Sequence, residues 1–299
     1  MANSIKEVSY GIILQEYLIL FVLGVVTVLA GLLVQLFIVA VNVIDWLKRR
    51  SITGGDQIIT SIGISRIFYH TAVLLALFSS FYSTKIPEIV FLLIDLTKNG
   101  SAIASLWLST LLFIFFYFKI STFHNVFFLR LKAIISQRVT YLIIGSVLLS
   151  FGCTAVYHYT LPKSLFRNST QDAISYYRQL RATSHIVSLL FVFPLLVFLI
   201  TSLLLIILLG FHMSRMNNHG NMTSSTDTYH RIMKFTFLSF LICAVYIIIA
   251  LVQKYVIFLN SIWLLVAMNI FPVLHSVLLI YVAMKLRNQF FRIVYCRTE

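Results

Sequence analysis

The chain has 299 residues, of which 60% are hydrophobic and 11% charged, against about 25% charged in an ordinary soluble domain. That composition, with a mean hydropathy of +0.96, excludes a water-soluble fold and places the chain in a bilayer. A formal net charge of +14 does not mark a nucleic-acid binder, because the basic residues lie in short segments between apolar runs.

Residues 1–16 are polar and nearly neutral, with Lys6, Glu7 and Glu16. The apolar stretch that follows, 17–44, exceeds the roughly 7–15 residues of a cleaved signal core, so it reads as a retained first span. A spanning helix needs about 20 predominantly apolar residues. Further segments meet that need at 58–81, 89–118, 139–159, 185–211, 233–256 and 262–284. They are much longer than the alternating segments of about 10 residues in a membrane barrel. The expected fold is therefore all-α, a polytopic bundle of seven transmembrane helices in a single domain, with 285–299 as a short tail. The third span has a polar start at Asp95, Lys98, Asn99 and Gly100. Only a few residues around Leu259–Ser261 separate the last two spans, which makes them antiparallel neighbours.

Basic residues set the orientation, since Lys and Arg favour the cytoplasmic side. With the N-terminus outside, the inner segments 45–57, 119–138, 212–232 and 285–299, with Lys234 beside them, hold fourteen of the 23 Lys and Arg. The outer side holds eight, and Arg66 lies within the second span. The sequon Asn168-Ser169-Thr170 falls in an outer loop, where glycosylation occurs. A second sequon, Asn221-Met222-Thr223, falls on the inner side. Cys296, just after Phe290 and Phe291, is a candidate for palmitoylation.

Arg66 is the residue most out of place, because a charge inside a span is costly and faces the bundle interior or a partner. It either pairs with buried carbonyls or Asn42, or snorkels to the inner interface. Lys119, Arg130, Lys132 and Arg138 form a basic stretch without an acidic residue. It suits a cytoplasmic partner and, equally, anionic lipid headgroups. Pro194 and Pro272 lie in apolar surroundings and would kink their helices. His212, His230 and His275 lack a carboxylate or Cys at ligand spacing, so no metal site or cofactor is expected. No nucleophile, phosphate loop or paired carboxylate points to an enzyme. Nor does the pattern show the matched broken helices of a transporter.

These segments resemble the bitter taste receptors, the type 2 taste receptor family of G-protein-coupled receptors. The resemblance rests on Asn42 and Ser65-Arg66, on Trp107-Leu108-Ser109-Thr110, and on Lys119-Ile120-Ser121-Thr122-Phe123. It continues in Phe128-Leu129, Leu131-Lys132, Phe193-Pro194, Leu203-Leu204 and His212 with Met216. Farther on it rests on His230, Ser239-Phe240-Leu241, Phe271-Pro272, His275-Ser276 and Lys285-Leu286-Arg287. The chain departs from the family pattern at Val126, Val282-Ala283, Lys234 and Lys98. The Asp-Arg-Tyr and Asn-Pro-x-x-Tyr motifs of rhodopsin-like receptors are absent. Vomeronasal type 1 receptors are the alternative chemosensory family.

The resemblance implies a plasma-membrane receptor that binds small bitter compounds and activates a heterotrimeric G protein of the gustducin/Gi type. It implies a ligand site in the outer third of the bundle, lined by Lys98, Ala102, Leu106, His185, Tyr255, Leu265 and Asn269. Lys98 would favour anionic or acceptor-rich ligands. Lys119, His212, Arg215, His230 and Lys234 are the implied coupling residues, with Arg66 and Asn42 as switch residues.

Overall fold

A computed structural model describes residues 2–48, 52–81, 87–121, 126–160, 192–214, 224–255 and 261–295. The expected site residues His185, Arg215, Asn168 and Cys296 lie outside the described residues. Tyr255 and Leu265 lie in described helices, but their side chains are not described. The described residues form α1 (Ala2–Leu47), α2 (Gly54–Phe81), α3 (Glu88–Ile120), α4 (Val126–Gln137) and α5 (Val139–Thr160). These are followed by α6 (Val192–Ser214), then α7 (Ser224–Tyr255), α8 (Ser261–Val282) and α9 (Met284–Tyr295). No strand occurs among the described residues.

Among the described residues six helices are long and apolar enough to cross a membrane, and up to seven if the bent pair Asn269–Val282 and Met284–Ile293 counts as one span. The protein is therefore an all-α polytopic membrane protein. Two short helices interrupt segments read from sequence as loop and tail. α4 forms in the basic stretch after α3, and α9 leaves α8 at 94°. Consequently the last apolar helix ends at Val282, two residues before the boundary expected from hydropathy.

Local chemistry explains where the helices begin and end. In α2 the Thr53 Oγ1 accepts from the Asp56 N–H at 3.2 Å, while Asp56 Oδ2 accepts from the Thr53 N–H at 3.1 Å and from its hydroxyl at 2.8 Å. This reciprocal pair satisfies backbone donors left over at the first turn. Helix α3 starts after Pro87, carries Glu88 in its first turn and Lys119 in its last, and stops at the extended Ser121. That order of charges suits the helix dipole. Hydroxyls inside the spans bond back to their own helix, as Thr71 does to Ile67 O at 2.9 Å and Thr110 to Leu106 O at 2.9 Å. Without water such groups need an internal acceptor.

Helix α3 is the central element, with an unbroken run from Leu111 to Phe113 in the core. It packs on α2 and α5, α1 packs on α2 and α8, and α7 packs on α8. The outside is apolar instead of polar: Leu33, Leu148 and Phe211 are 68%, 67% and 73% exposed. Such continuous apolar exposure is a lipid-facing surface. Glycines set the closest approaches. A Cβ at Gly31 of α1 would lie 2.6 Å from the His70 ring of α2 and 2.9 Å from Val273 of α8, and one at Gly100 would lie 2.8 Å from Phe151.

Candidate functional site

Four buried polar residues of the spans, Gln35, Ser109, His275 and Ser276, gather around Arg66. Its side chain, on α2, is 1% exposed. Nη1 donates to the Pro272 carbonyl at 3.2 Å and to the Ser276 hydroxyl in a short bond. Nη2 donates to Ser109 Oγ at 3.3 Å and faces His275 Nδ1 at 3.2 Å. Gln35 of α1 donates to the same Ser276 hydroxyl at 2.6 Å. The planar guanidinium fork thus joins α2 to α3 and α8, and Ser276 extends the network to α1. With Nδ1 of His275 accepting from Arg66, the imidazole proton is assigned to Nε2.

Among the described residues Arg66 meets no carboxylate; its acceptors are neutral. A guanidinium in hydrocarbon is costly, by about 2.5–3.5 kcal/mol even on insertion scales. Four directed contacts hold it in place, and they require α3 and α8 to keep their present rotation. Of the two partners read from sequence, the carbonyl is found, in Pro272. Asn42 is elsewhere: its Oδ1 accepts from Lys285 Nζ at 3.0 Å, and Lys285 also pairs with Asp45 at 3.0 Å. Arg66 is deeply buried, which contradicts the snorkelling alternative.

His275 joins the arginine network to an aromatic cluster. Its ring centroid lies 5.9 Å from Phe235 of α7, 6.2 Å from Phe271, 6.3 Å from Phe198 of α6 and 6.5 Å from Phe113 of α3. Phe113 lies 4.5 Å from Phe198 and stacks with Phe235 at 5.5 Å. A second tie between α3 and α6 runs from the Thr110 hydroxyl to the Pro194 carbonyl, 3.0 Å long. A change in the rotation of α8 therefore cannot leave α3, α6 and α7 unaffected, because tightly packed cores rearrange rather than stretch.

Toward the start of α3, Lys98, Ala102 and Leu106 recur every fourth residue and share a helix face. Ala102 is half-buried and Leu106 buried, as is Asn269 on α8. Lys98 is engaged locally: its Nζ lies 2.7 Å from Asp95 Oδ1. The other oxygen of Asp95 lies 3.2 Å from His158 Nε2 of α5 and accepts from Asn99 at 2.9 Å. Toward the other end, Lys119, His230 and Lys234 are exposed. His212 of α6 is half-buried and lies 4.8 Å from Tyr229 of α7. Sequence reasoning missed Gln35, Ser109 and the Phe113–Phe198–Phe235 cluster as parts of a site. A Ser or Gln in a span was the available signal, since each needs a buried partner.

A family model for taste receptor proteins (TAS2R) matches residues 13–298. The chain is 32% identical over 277 residues to taste receptor type 2 member 117 of Rattus norvegicus, covering 86% of this chain and 85% of that one. It is 31% identical to the putative taste receptor type 2 member 33 of Homo sapiens, over 70% of each chain. Taste receptor type 2 member 64 of Pan paniscus is 28% identical, covering 93% of this chain and 94% of that one. These similarities set aside the vomeronasal type 1 alternative. With a buried interhelical arginine in a membrane bundle and family similarity over nearly its whole length, the chain belongs to the TAS2R family of bitter taste receptors.

Proposed function

We propose that this bitter taste receptor sits in the plasma membrane with seven spans and its N-terminus outside, and signals through a heterotrimeric G protein of the gustducin/Gi type. It acts by binding rather than catalysis. Small bitter compounds enter at the Lys98 end, where Ala102, Leu106 and Asn269 offer apolar wall and one orienting polar group. His185, Tyr255 and Leu265 complete the proposed lining. The G protein docks at the opposite end, against Lys119, His212, Arg215, His230 and Lys234. Asn168 carries a glycan outside, and Cys296 an acyl chain inside.

The observation that carries the reading is the continuous link from Arg66 through His275 to Phe113, Phe198 and Phe235. A ligand shifts an equilibrium only by binding the two arrangements differently. An agonist between α3 and α8 does so by changing the rotation at which Ser109, Pro272 and Ser276 meet Arg66. The positive-inside bias supports the orientation.

The test is a calcium response in cells that express the chain with a gustducin-tailed chimeric G protein, exposed to a panel of bitter compounds. The expected result is a saturable response to at least one compound that is absent in mock-transfected cells. Silence across the panel, with surface expression verified by antibody, would count against the proposed coupling.

A further inference from the structure

A cleft of 260 Å³ lies at the Lys119 end, between the start of α2, the end of α3 and α4. It is separate from the Arg66 network and from the residues proposed to hold bitter compounds. Its wall is apolar on one side, from Phe115, Phe118 and Ile135, and cationic on the other, from Lys119 and Lys132. It is smaller than the roughly 300–1,000 Å³ of drug-sized pockets, so it suits a compact polar head rather than an agonist.

The chemistry of the lining favours an anion. Lys132 spends one ammonium donor on the Ser121 carbonyl, 3.0 Å away, and keeps two more. Lys119 is exposed at the rim. Among the described residues neither lysine has a carboxylate partner. Asp56, the acidic group of the adjoining turn, is occupied by the Thr53 amide and hydroxyl. Gly54 places the first turn of α2 in the cleft wall, with the positive end of the helix dipole there. The approach is close: a Cβ at Gly54 would lie 3.0 Å from the Val139 side chain and 3.1 Å from that of Phe115. Ser136 adds a hydroxyl to the lining.

The location fixes the source of the anion. α3 is a membrane-crossing helix and Lys119 lies in its last turn, the level at which headgroups meet protein. Apolar Phe115, Phe118 and Ile135 beside two ammonium groups match a molecule with a charged head and an acyl tail. We propose that this cleft binds the phosphate monoester headgroup of an anionic membrane lipid, with Lys119 and Lys132 as its counter-charges.

The full-length receptor, purified in detergent, is titrated by native mass spectrometry with phosphatidylinositol 4-phosphate, with phosphatidylcholine, and with glycerol phosphate as a soluble head. The phosphoinositide is expected to be retained and phosphatidylcholine lost. The paired substitution Lys119→Gln and Lys132→Gln removes both counter-charges and should weaken retention by about tenfold or more, while both Lys→Arg changes preserve it. Changing Arg287 and Arg292 of α9 to Gln should leave it unaltered. Equal retention by the wild type and the Lys→Gln pair would overturn the site. Displacement by glycerol phosphate at equal concentration would assign it to free phosphate and overturn the lipid source. If the Lys→Gln pair does not fold, a photoactivatable phosphoinositide is cross-linked to the wild type. Adducts within 115–136 support the cleft, and adducts confined to α9 overturn it.

Discussion

Ser276 is the residue on which the buried network turns, because it accepts from both Arg66 and Gln35. Ser276→Ala removes that acceptor and leaves a buried amide donor unpaired, at a cost of about 1–3 kcal/mol. The expected outcome is a lower melting temperature in detergent, with Ser276→Thr retaining most of the stability. An unchanged melting temperature for the Ala variant would show that the bonds contribute nothing. At the other end of α3, Asp95 holds Lys98 at 2.7 Å and meets His158 at 3.2 Å. Asp95→Asn weakens the hold on the ammonium, so anionic agonists should become several-fold more potent while neutral agonists change little. Concentration–response curves for the two classes check this, and a parallel shift of both would argue against Lys98 facing the ligand.

Close helix approach accounts for how α1 reaches the network. Gly31 leaves room for the His70 ring and Val273, so Gly31→Leu forces α1 away from α2 and α8. Overpacking of this kind costs about 1–3 kcal/mol, and surface expression should fall while a control at lipid-facing Leu33 stays normal. Lys285 fixes the sharp turn from α8 into α9 by reaching Asn42 and Asp45 of α1. Lys285→Ala should speed hydrogen exchange in α9 and leave the centre of α3 unchanged. Hydropathy makes the long elements legible because a span needs only length and apolarity, which α1 and α6 announce plainly and α3 announces after its polar start. It misses α4 and α9 because each has only 12 residues, too few to span, and carries Lys or Arg among its Phe, Leu and Ile. Arg66 was legible as a candidate because a charge in a span is rare. Its acceptors were not, since Ser109 and Ser276 are ordinary residues until the helices set their rotation. Asn42 pairs with Lys285 and not with Arg66, because the chain bends at Ala283 and brings α9 back onto α1.

At the scale of the molecule, the Arg66 bonds and the His275 aromatic cluster make one body of α2, α3, α6, α7 and α8. Under the proposed function, agonist binding at the Lys98 end and G-protein docking at the Lys119 end would be two biases on one equilibrium. Lys cannot replace Arg here, because a single ammonium does not reproduce the forked geometry toward Ser109 and Ser276. The most direct test compares wild type, Arg66→Lys and Arg66→Ala at matched surface level, reading agonist-stimulated nucleotide exchange on the G protein. Maximal exchange should fall by about tenfold or more in both variants, equivalent to about 1.4 kcal/mol of coupling, with the rank order of agonists preserved. Wild-type exchange by Arg66→Ala at equal surface level would contradict the claim that this buried arginine links the two ends.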